Sequence, residues 1–258
     1  MMKWLKKCYL GLIMVFLYVP IVILIVQSFN AGESRAKWEG FSLHWYGELL
    51  RDERILNALY ITVSIAVIAM IVSTVLGTLA AIGIHAMKKR PQALMMTLTN
   101  LPNTMPDIVT GISLMLLFLF TKVERGYVTM LLAHITFDTP YVILSVLPKL
   151  KQMNKHSYEA ALDLGATPVY ALFHVILPEI MPGVITGAML AFTLSLDDFV
   201  ISYFTTSPLV QNLSTLIYSA ARRGIEPTLN ALSALMFVAL LILLLIVNRR
   251  TADNSKKA

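Results

Sequence analysis

Long apolar runs constrain this chain more than any other feature of its sequence. Tyr9–Phe29 and the stretch from about Ala58 to Met87 contain no Lys, Arg, Asp or Glu. A helix of about 20 residues crosses the hydrocarbon core of a bilayer and satisfies its own backbone hydrogen bonds. Apolar residues make up 57% of the chain and charged residues 14%, whereas soluble domains have about 45–50% and about 25%. The sequence therefore predicts an integral membrane protein.

Six such runs predict an all-α integral membrane fold with six transmembrane helices. We interpret the first run as a retained anchor, because it is long and no A-x-A-like cleavage site follows it. The runs divide the chain into an anchor helix with an outer loop (1–56), a transmembrane domain (57–248) and a cytoplasmic tail (249–258). The third span is interrupted by Pro102 and Pro106. With approximate ends, the predicted spans are Tyr9–Phe29, Ala58–Met87, Leu94–Phe120, Tyr127–Leu147, Met181–Tyr203 and Leu229–Val247.

The distribution of basic residues predicts the orientation of these spans. In membrane proteins the cytoplasmic loops carry an excess of Lys and Arg. With both termini in the cytoplasm, thirteen of the 21 Lys and Arg residues fall on that side and eight on the outer side. These short clusters explain the net charge of +6. Nucleic-acid binding is not predicted, because no zinc-finger or RNA-binding signature accompanies them.

The predicted cytoplasmic loop at about 148–180 has the pattern of two short helices. Ser157 is a candidate N-cap for the first helix, and Gly165 is placed to end it in a left-handed conformation. Pro168 suits the first turn of a second helix, where no backbone N–H is needed. The pattern predicts a helix–turn–helix on the cytoplasmic face. The residues alone leave two interpretations open, a docking element for a partner and an ordinary amphipathic surface loop.

The same loop carries a motif that covers residues 159–178. It resembles the EAA loop of the permease subunits of binding-protein-dependent ABC importers, with Val175 in place of the Ile of that pattern. The resemblance implies that Glu159–Gly165 forms a coupling helix, which sits in a groove of the ATP-hydrolysing subunit. The residues assigned to ATPase coupling on this basis are Glu159, Ala160, Ala161, Leu164, Gly165, Leu177 and Pro178.

Segments along nearly the whole chain are similar to the spermidine/putrescine permeases of that family. The resemblance implies a polyamine importer in the bacterial inner (plasma) membrane. It also implies a second homologous permease, two ATPase subunits and an extracytoplasmic solute-binding protein. ATP and Mg are then expected in the ATPase, with no cofactor on this chain. Ferric iron, thiamine or another organic cation is the alternative solute. The similar segments are Tyr18–Ile21, Gln27–Asn30, Pro106–Val109, His134–Phe137, Leu196–Asp198 and Ile217–Ser219.

Four carboxylates lie in the predicted spans, where ionisable side chains are expensive and mark a pathway or a partner by default. No Lys or Arg falls within the six spans. A path for a cation needs negative charge without a matching internal cation, so this asymmetry favours a cationic solute. The carboxylates assigned to the substrate path are Asp107, Asp138, Asp197 and Asp198.

Each of these carboxylates also has a purely structural interpretation. Asp107 is predicted in the first turn of a helix that restarts after a proline, where the helix dipole favours an anion. Asp138 lies four residues after His134 on one helical face, which predicts a hydrogen bond between them. Two ligands are too few for a metal site. Adjacent residues point about 100° apart, so one of Asp197 and Asp198 is expected to face the path and the other a neighbouring subunit.

Two rival functions explain less of the sequence. A proton-coupled secondary transporter could use Asp197 or Asp198 as its proton site, but it leaves the EAA-like loop unexplained. An intramembrane aspartyl protease requires a Gly-x-Gly-Asp motif, which the sequence lacks. The Gly-rich phosphate loop that ends in Gly-Lys-Ser/Thr is also lacking. We therefore predict a transport subunit rather than an enzyme, with ATP hydrolysis in a partner.

Overall fold

A computed structural model describes residues 2–33, 37–223 and 226–255, and it describes side chains except at 2–5, 155, 223 and 243–255. The described residues form helices and connecting turns, without a β-strand. In chain order the helices are α1 (Met2–Gln27), α2 (His44–Leu49), α3 (Glu53–Ala86), α4 (Lys89–Thr104), α5 (Asp107–Phe120), α6 (Tyr127–Gln152), α7 (Lys155–Asp163), α8 (Pro168–Ala171), α9 (Leu177–Asp197), α10 (Val200–Thr205), α11 (Leu213–Arg223) and α12 (Pro227–Ser255).

The chain divides into two compact units. One unit consists of Met1–Asn57 and Leu216–Ala258, and the other of Ala58–Thr215. In the first unit, α12 packs against α1 and α2. In the second unit, α6 packs against α4, α5, α9 and α10, so it is the helix around which this unit is built.

Several helices are suited to crossing a membrane. α4 and α5 together make one such candidate, bent by 104° at the break between them. α12 is apolar over Pro227–Ile242, and residues 243–247 of the sixth predicted span lie outside those whose side chains are described. The all-helical prediction is thus confirmed with four or five candidate spans among the described residues. The four unbroken candidates are Lys6–Gln27, Glu53–Ala86, Tyr127–Gln152 and Pro168–Asp197.

The third predicted span is a pair of helices rather than one straight helix. α4 ends at Thr104, and Met105 has extended backbone with φ −87° and ψ 145°. The ring of Pro106 disfavours helical backbone in the residue before it, which explains the break. Pro102 lies inside α4 and does not end it. The predicted interruption is therefore confirmed at Pro106 and wrong at Pro102.

The fifth predicted span, Met181–Tyr203, is wrong at both ends. α9 begins at Leu177, with Pro178 in its first turn, and it continues directly from the helical backbone of Leu172–Ile176. α9 ends at Asp197, because Asp198 has extended backbone with φ −63° and ψ 126°. The chain then restarts as the short helix α10.

Glycines bring α9 and α6 into close contact. Gly183 and Gly187 lie four residues apart on α9, and both are buried. A Cβ added at Gly183 would lie 2.9 Å from the carbonyl oxygen of Ser145, and one at Gly187 would lie 3.1 Å from the Cα of Val142. Small residues at this spacing let two helix backbones approach each other within a membrane. The pair therefore packs backbone against backbone over about one helical turn.

α3 also approaches α6 closely. A Cβ added at Gly77 on α3 would lie 2.6 Å from the Cβ of Val142. Val142 and Val146 are fully buried, and Leu150 is almost so. α6 is thus held tightly on the faces that meet α3 and α9.

In the first unit, the loop after α1 is folded around Asn30. The Asn30 side chain accepts a hydrogen bond from the Glu39 backbone N–H (2.8 Å) and donates one to the Lys37 carbonyl (2.9 Å). The buried Trp45 indole donates to the Asn30 carbonyl over 2.7 Å. This loop therefore has a fixed structure of its own.

We expect Gly183→Ala to destabilise the protein, because the new methyl group would meet backbone atoms that cannot rotate away. Overpacking of this kind costs about 1–3 kcal/mol. The measurement is the thermal melting temperature of the purified protein in detergent. Gly83→Ala is the matched control, because a Cβ there meets nothing within 4 Å. Equal melting temperatures for the two variants would contradict the tight contact between α6 and α9.

Candidate functional site

The loop between α6 and α9 begins with α7, and Asn154 caps this helix. The Asn154 side chain accepts a hydrogen bond from the His156 backbone N–H over 3.1 Å, and its backbone is extended, as an N-cap requires. The sequence-based choice of Ser157 was wrong, because Ser157 lies inside α7. Asn and Ser are similarly good N-caps, and only the position at which the backbone turns helical distinguishes them.

α7 ends at Gly165 as predicted. Gly165 has φ +90°, a left-handed conformation that other residues rarely adopt. Its N–H donates to the Leu162 carbonyl (2.9 Å), and the Ala166 N–H donates to the Ala161 carbonyl (3.0 Å). This pair of bonds is the Schellman motif, which satisfies carbonyls that the end of a helix would otherwise leave free.

A second short helix follows, as the sequence predicted. The Thr167 hydroxyl accepts a hydrogen bond from the Tyr170 N–H over 3.3 Å, and Pro168 is the first residue of α8. α8 is only four residues long, and a π-helical turn, Leu172–Ile176, joins it to α9. The helix–turn–helix is therefore continuous with α9 through a turn of wider hydrogen-bond spacing.

The loop presents a set of large apolar side chains to its surroundings. Leu164 is 90% exposed, although it directly precedes the glycine that ends α7. Glu159 and Ala160 are exposed beside it, whereas Leu177 packs against the core of the second unit. Exposed apolar residues gathered in one segment are typical of a protein or membrane contact site. We name as the apolar loop surface the residues Leu164, Val169, Tyr170 and Phe173, which are exposed by more than half.

Sequence reasoning selected only Leu164 from this surface. The EAA-like motif does not include Val169, Tyr170 and Phe173, so the motif did not indicate them. The sequence does show that these are three large apolar residues in a loop that lies outside every predicted span.

Two of the assigned carboxylates lie at the ends of helices and are exposed. Asp107 is the first residue of α5, which confirms its predicted place in the first turn of a restarted helix. Asp197 is the last residue of α9. Within this chain, neither side chain is covered by a neighbouring helix.

Asp198 is adjacent to Asp197 but has a different environment. Its side chain is only 8% exposed. Its carboxylate accepts hydrogen bonds from the backbone N–H groups of Ile201 (3.2 Å) and Ser202 (2.7 Å) in the first turn of α10. A carboxylate at this end of a helix is stabilised by the free N–H groups and by the helix dipole.

His134 lies in a buried hydrogen-bonded cluster. Its Nδ1 lies 2.6 Å from the Ser195 Oγ, and its Nε2 lies 2.9 Å from the Ser202 Oγ and 3.6 Å from an Asp198 carboxylate oxygen. The Asn212 side chain donates to the same Ser202 hydroxyl over 2.8 Å. We call His134, Ser195, Asp198, Ser202 and Asn212 the His134 cluster. It ties α6 to the break between α9 and α10.

The predicted hydrogen bond between His134 and Asp138 is wrong. Both nitrogens of the imidazole are engaged by serine hydroxyls from other segments. Asp138 is fully buried, and neither of its carboxylate oxygens has a hydrogen-bond partner among the described residues. Spacing on one helix places two side chains on the same face, but tertiary contacts decide which partner each side chain takes. In the part of the chain that is described, no three His, Cys, Asp or Glu side chains are grouped as metal ligands.

We expect His134→Leu to lower the melting temperature by several degrees. The Ser195 hydroxyl would lose its partner, and Ser202 would keep only the bond from Asn212. A buried polar group left without a hydrogen bond costs about 1–3 kcal/mol. His44→Leu is the control, because His44 is exposed and its contact with Glu48 lies at the surface. An unchanged melting temperature in His134→Leu would show that the cluster contributes nothing to stability.

Comparison with known proteins places the chain in a family. The sequence pattern of the family described as "Binding-protein-dependent transport system inner membrane component" matches residues 73–251. The putrescine transport system permease protein PotI of Escherichia coli K12 is 40% identical over 231 residues, which cover 87% of this chain and 82% of PotI. The spermidine/putrescine transport system permease protein PotC of the same strain is 35% identical over 254 residues, 98% of this chain and 96% of PotC.

Solved structures show the same fold at lower sequence identity. A chain of a bacterial ABC transporter involved in the import of the acidic polysaccharide alginate has a TM-score of 0.74 and 17% identity, and the match covers 97% of this chain and 96% of that chain. The methionine transporter MetNI has a TM-score of 0.65 and 15% identity over 83% of this chain and 99% of that chain. The chain belongs to the binding-protein-dependent transport system inner membrane component family, whose members are permease subunits of ABC importers and not enzymes.

Proposed function

We propose that this chain is the permease subunit of an ABC importer for polyamines, and that it forms half of the translocation pathway for putrescine or spermidine. The observation that carries the proposal is its similarity to PotI and PotC, two polyamine permeases, over most of its length. The excess of carboxylates over cations inside the apolar helices agrees with a cationic solute.

In the membrane, the proposed arrangement has six spans with both termini in the cytoplasm. The six spans are α1, α3, the bent pair of α4 and α5, α6, α9 and α12. The bend of 104° is compatible with one span that is broken within the bilayer, provided that protein rather than lipid surrounds the break. The distribution of Lys and Arg supports the orientation.

The loop between α6 and α9 is the proposed coupling element. α7, with Glu159, Ala160 and Ala161 on it, would dock on a partner ATPase together with the apolar loop surface. Gly165 would fix the direction in which the chain leaves the docked helix, and Leu177 and Pro178 would join the loop to α9. α6 and α9 leave the two ends of this loop and pack backbone against backbone. A push on the loop would therefore move both helices together.

The proposed substrate path includes the exposed carboxylates Asp107 and Asp197 and the cluster around Asp198. An ammonium group binds a carboxylate by a charge-assisted hydrogen bond, about twice as strong as a neutral one. Asp198 is already held by two backbone N–H groups, so it would contribute its charge without a change of rotamer. The path would open alternately to the two sides of the membrane as the ATPases bind and hydrolyse ATP.

The complete importer would contain a second homologous permease, two ATPase subunits that hold ATP and Mg, and an extracytoplasmic solute-binding protein. The bacterial alginate ABC transporter, which has this fold, was solved in complex with its periplasmic protein. That complex supports a similar partner for this chain.

Leu164→Asp is expected to weaken ATPase binding about tenfold or more, because the interface would have to desolvate a charge. Leu164 is 90% exposed, so the variant should melt as the wild type does. The measurement is the amount of ATPase that co-purifies with the permease. Gln152→Asp adds the same charge at an exposed position at the end of α6 and is the control. Full ATPase recovery with Leu164→Asp would remove the apolar loop surface from the proposed interface.

The solute is tested by ATPase activity of the whole complex in lipid vesicles with its solute-binding protein. We expect putrescine or spermidine to stimulate hydrolysis, and thiamine and ferric iron to have no effect. Asp197→Asn should reduce this stimulation without a loss of stability, because Asp197 is exposed. Glu124→Gln, at an exposed loop position, is the control. Stimulation by another solute would keep the importer and exclude the polyamine.

A further inference from the structure

In the described part of the second unit, Asp138 is a buried acid with no hydrogen-bond donor next to its carboxyl group. It lies in the interior of α6 with no exposed surface. Neither carboxylate oxygen has a hydrogen-bond partner among the described residues. Asp198, by contrast, has two backbone N–H donors within 3.2 Å. The Asp198 carboxylate is therefore stabilised by hydrogen-bond donors, whereas the Asp138 carboxyl group is not.

An ionised carboxylate in this position would be unstable. Burial of a charge without a partner costs several kcal/mol even after the protein relaxes. Only a proton or a cation can remove this cost without a rearrangement of the helices. The packing that is observed therefore accommodates Asp138 as a neutral acid.

The groups that face Asp138 do not supply a cation. On α6 itself, His134 precedes it by one turn and is engaged by two serines, and Tyr141 follows it by about one turn. From the break between α9 and α10, the Asp198 carboxylate opposes a second negative charge at Asp138. Among the described residues, the Lys and Arg side chains of the helices packed on α6, and those of α6 itself, lie at helix ends. Other acids on the helices packed on α6 include Asp107, the first residue of α5, and Glu179 and Asp197, near the two ends of α9.

We propose that Asp138 is an occluded ammonium site, which holds a proton in this conformation and exchanges it for an amine cation when a conformational change opens the site. The exchange is balanced in charge: the proton leaves to water and one ammonium group of the solute pairs with the carboxylate. The inference rests on the proposed function. It adds to that function a proton-exchange step at Asp138, whose carboxylate becomes the partner of one ammonium group of the polyamine.

The exchange of a proton for an ammonium group makes solute affinity depend on pH. As long as Asp138 is protonated in the free transporter, each unit of pH rise should lower the KM for putrescine by up to about tenfold. The test is putrescine-stimulated ATPase activity of the complete complex in vesicles between pH 6 and pH 9. We expect the KM of the wild type to fall with pH, and the KM of Asp138→Asn to be higher and nearly constant.

Glu124→Gln is the matched control, because Glu124 is exposed in the loop between α5 and α6. It should keep the pH profile of the wild type. Equal pH profiles for the wild type and Asp138→Asn would overturn the inference and leave the polyamine importer intact. Absence of stimulation by any polyamine in the wild type would instead overturn the proposed function.

A second measurement needs no variant and so does not depend on its folding. Dicyclohexylcarbodiimide reacts with neutral carboxylic acids in apolar surroundings, and mass spectrometry locates the modified residue. We expect modification of Asp138 at pH 6, a marked decrease at pH 9, and protection by putrescine. Modification that is equal with and without putrescine, or confined to Asp107 and Asp197, would overturn the inference.

Discussion

Two helices in a bilayer gain little by hiding apolar surface from each other, because the surrounding lipid is equally apolar. α6 and α9 are instead in contact where glycines leave room for the two backbones to approach each other. Gly183 and Gly187 bring the α9 backbone against Ser145 and Val142 of α6. The loop with α7 and α8 joins these same two helices. Because the helices are in tight contact, we expect the loop and both helices to move together. The same two helices carry His134 and Ser195, which are hydrogen-bonded to each other at the other end of the pair.

The polar groups at that end are almost all satisfied, which is what a buried network requires in order to be stable. His134 uses both ring nitrogens, and Asp198 caps α10 while it lies 3.6 Å from the same imidazole. Asp138 is the exception, one turn along α6 from His134. Among the described residues, Asp138 is the one acid that is buried without a hydrogen-bond partner. Such a residue is where a conformational change can exchange a proton or a ligand.

The fold could be predicted largely from the sequence, because the long apolar runs and the left-handed glycine at 165 are local signals. The site could be predicted only in part. The N-cap at Asn154, the end of α9 at Asp197 and the bend between α4 and α5 depend on where the backbone changes direction. The partners of His134 depend on Ser195 and Ser202, 61 and 68 residues away in sequence. No spacing rule within one helix contains that information.

The exposure of Leu164 has a consequence for the life of the subunit before assembly. A permease inserted in the membrane without its partner would present Leu164, Val169, Tyr170 and Phe173 to water, on the cytoplasmic side in the proposed orientation. Proteases and chaperones select proteins by such exposed apolar segments. The accumulation of this chain in a cell would then follow the supply of the protein that covers the loop.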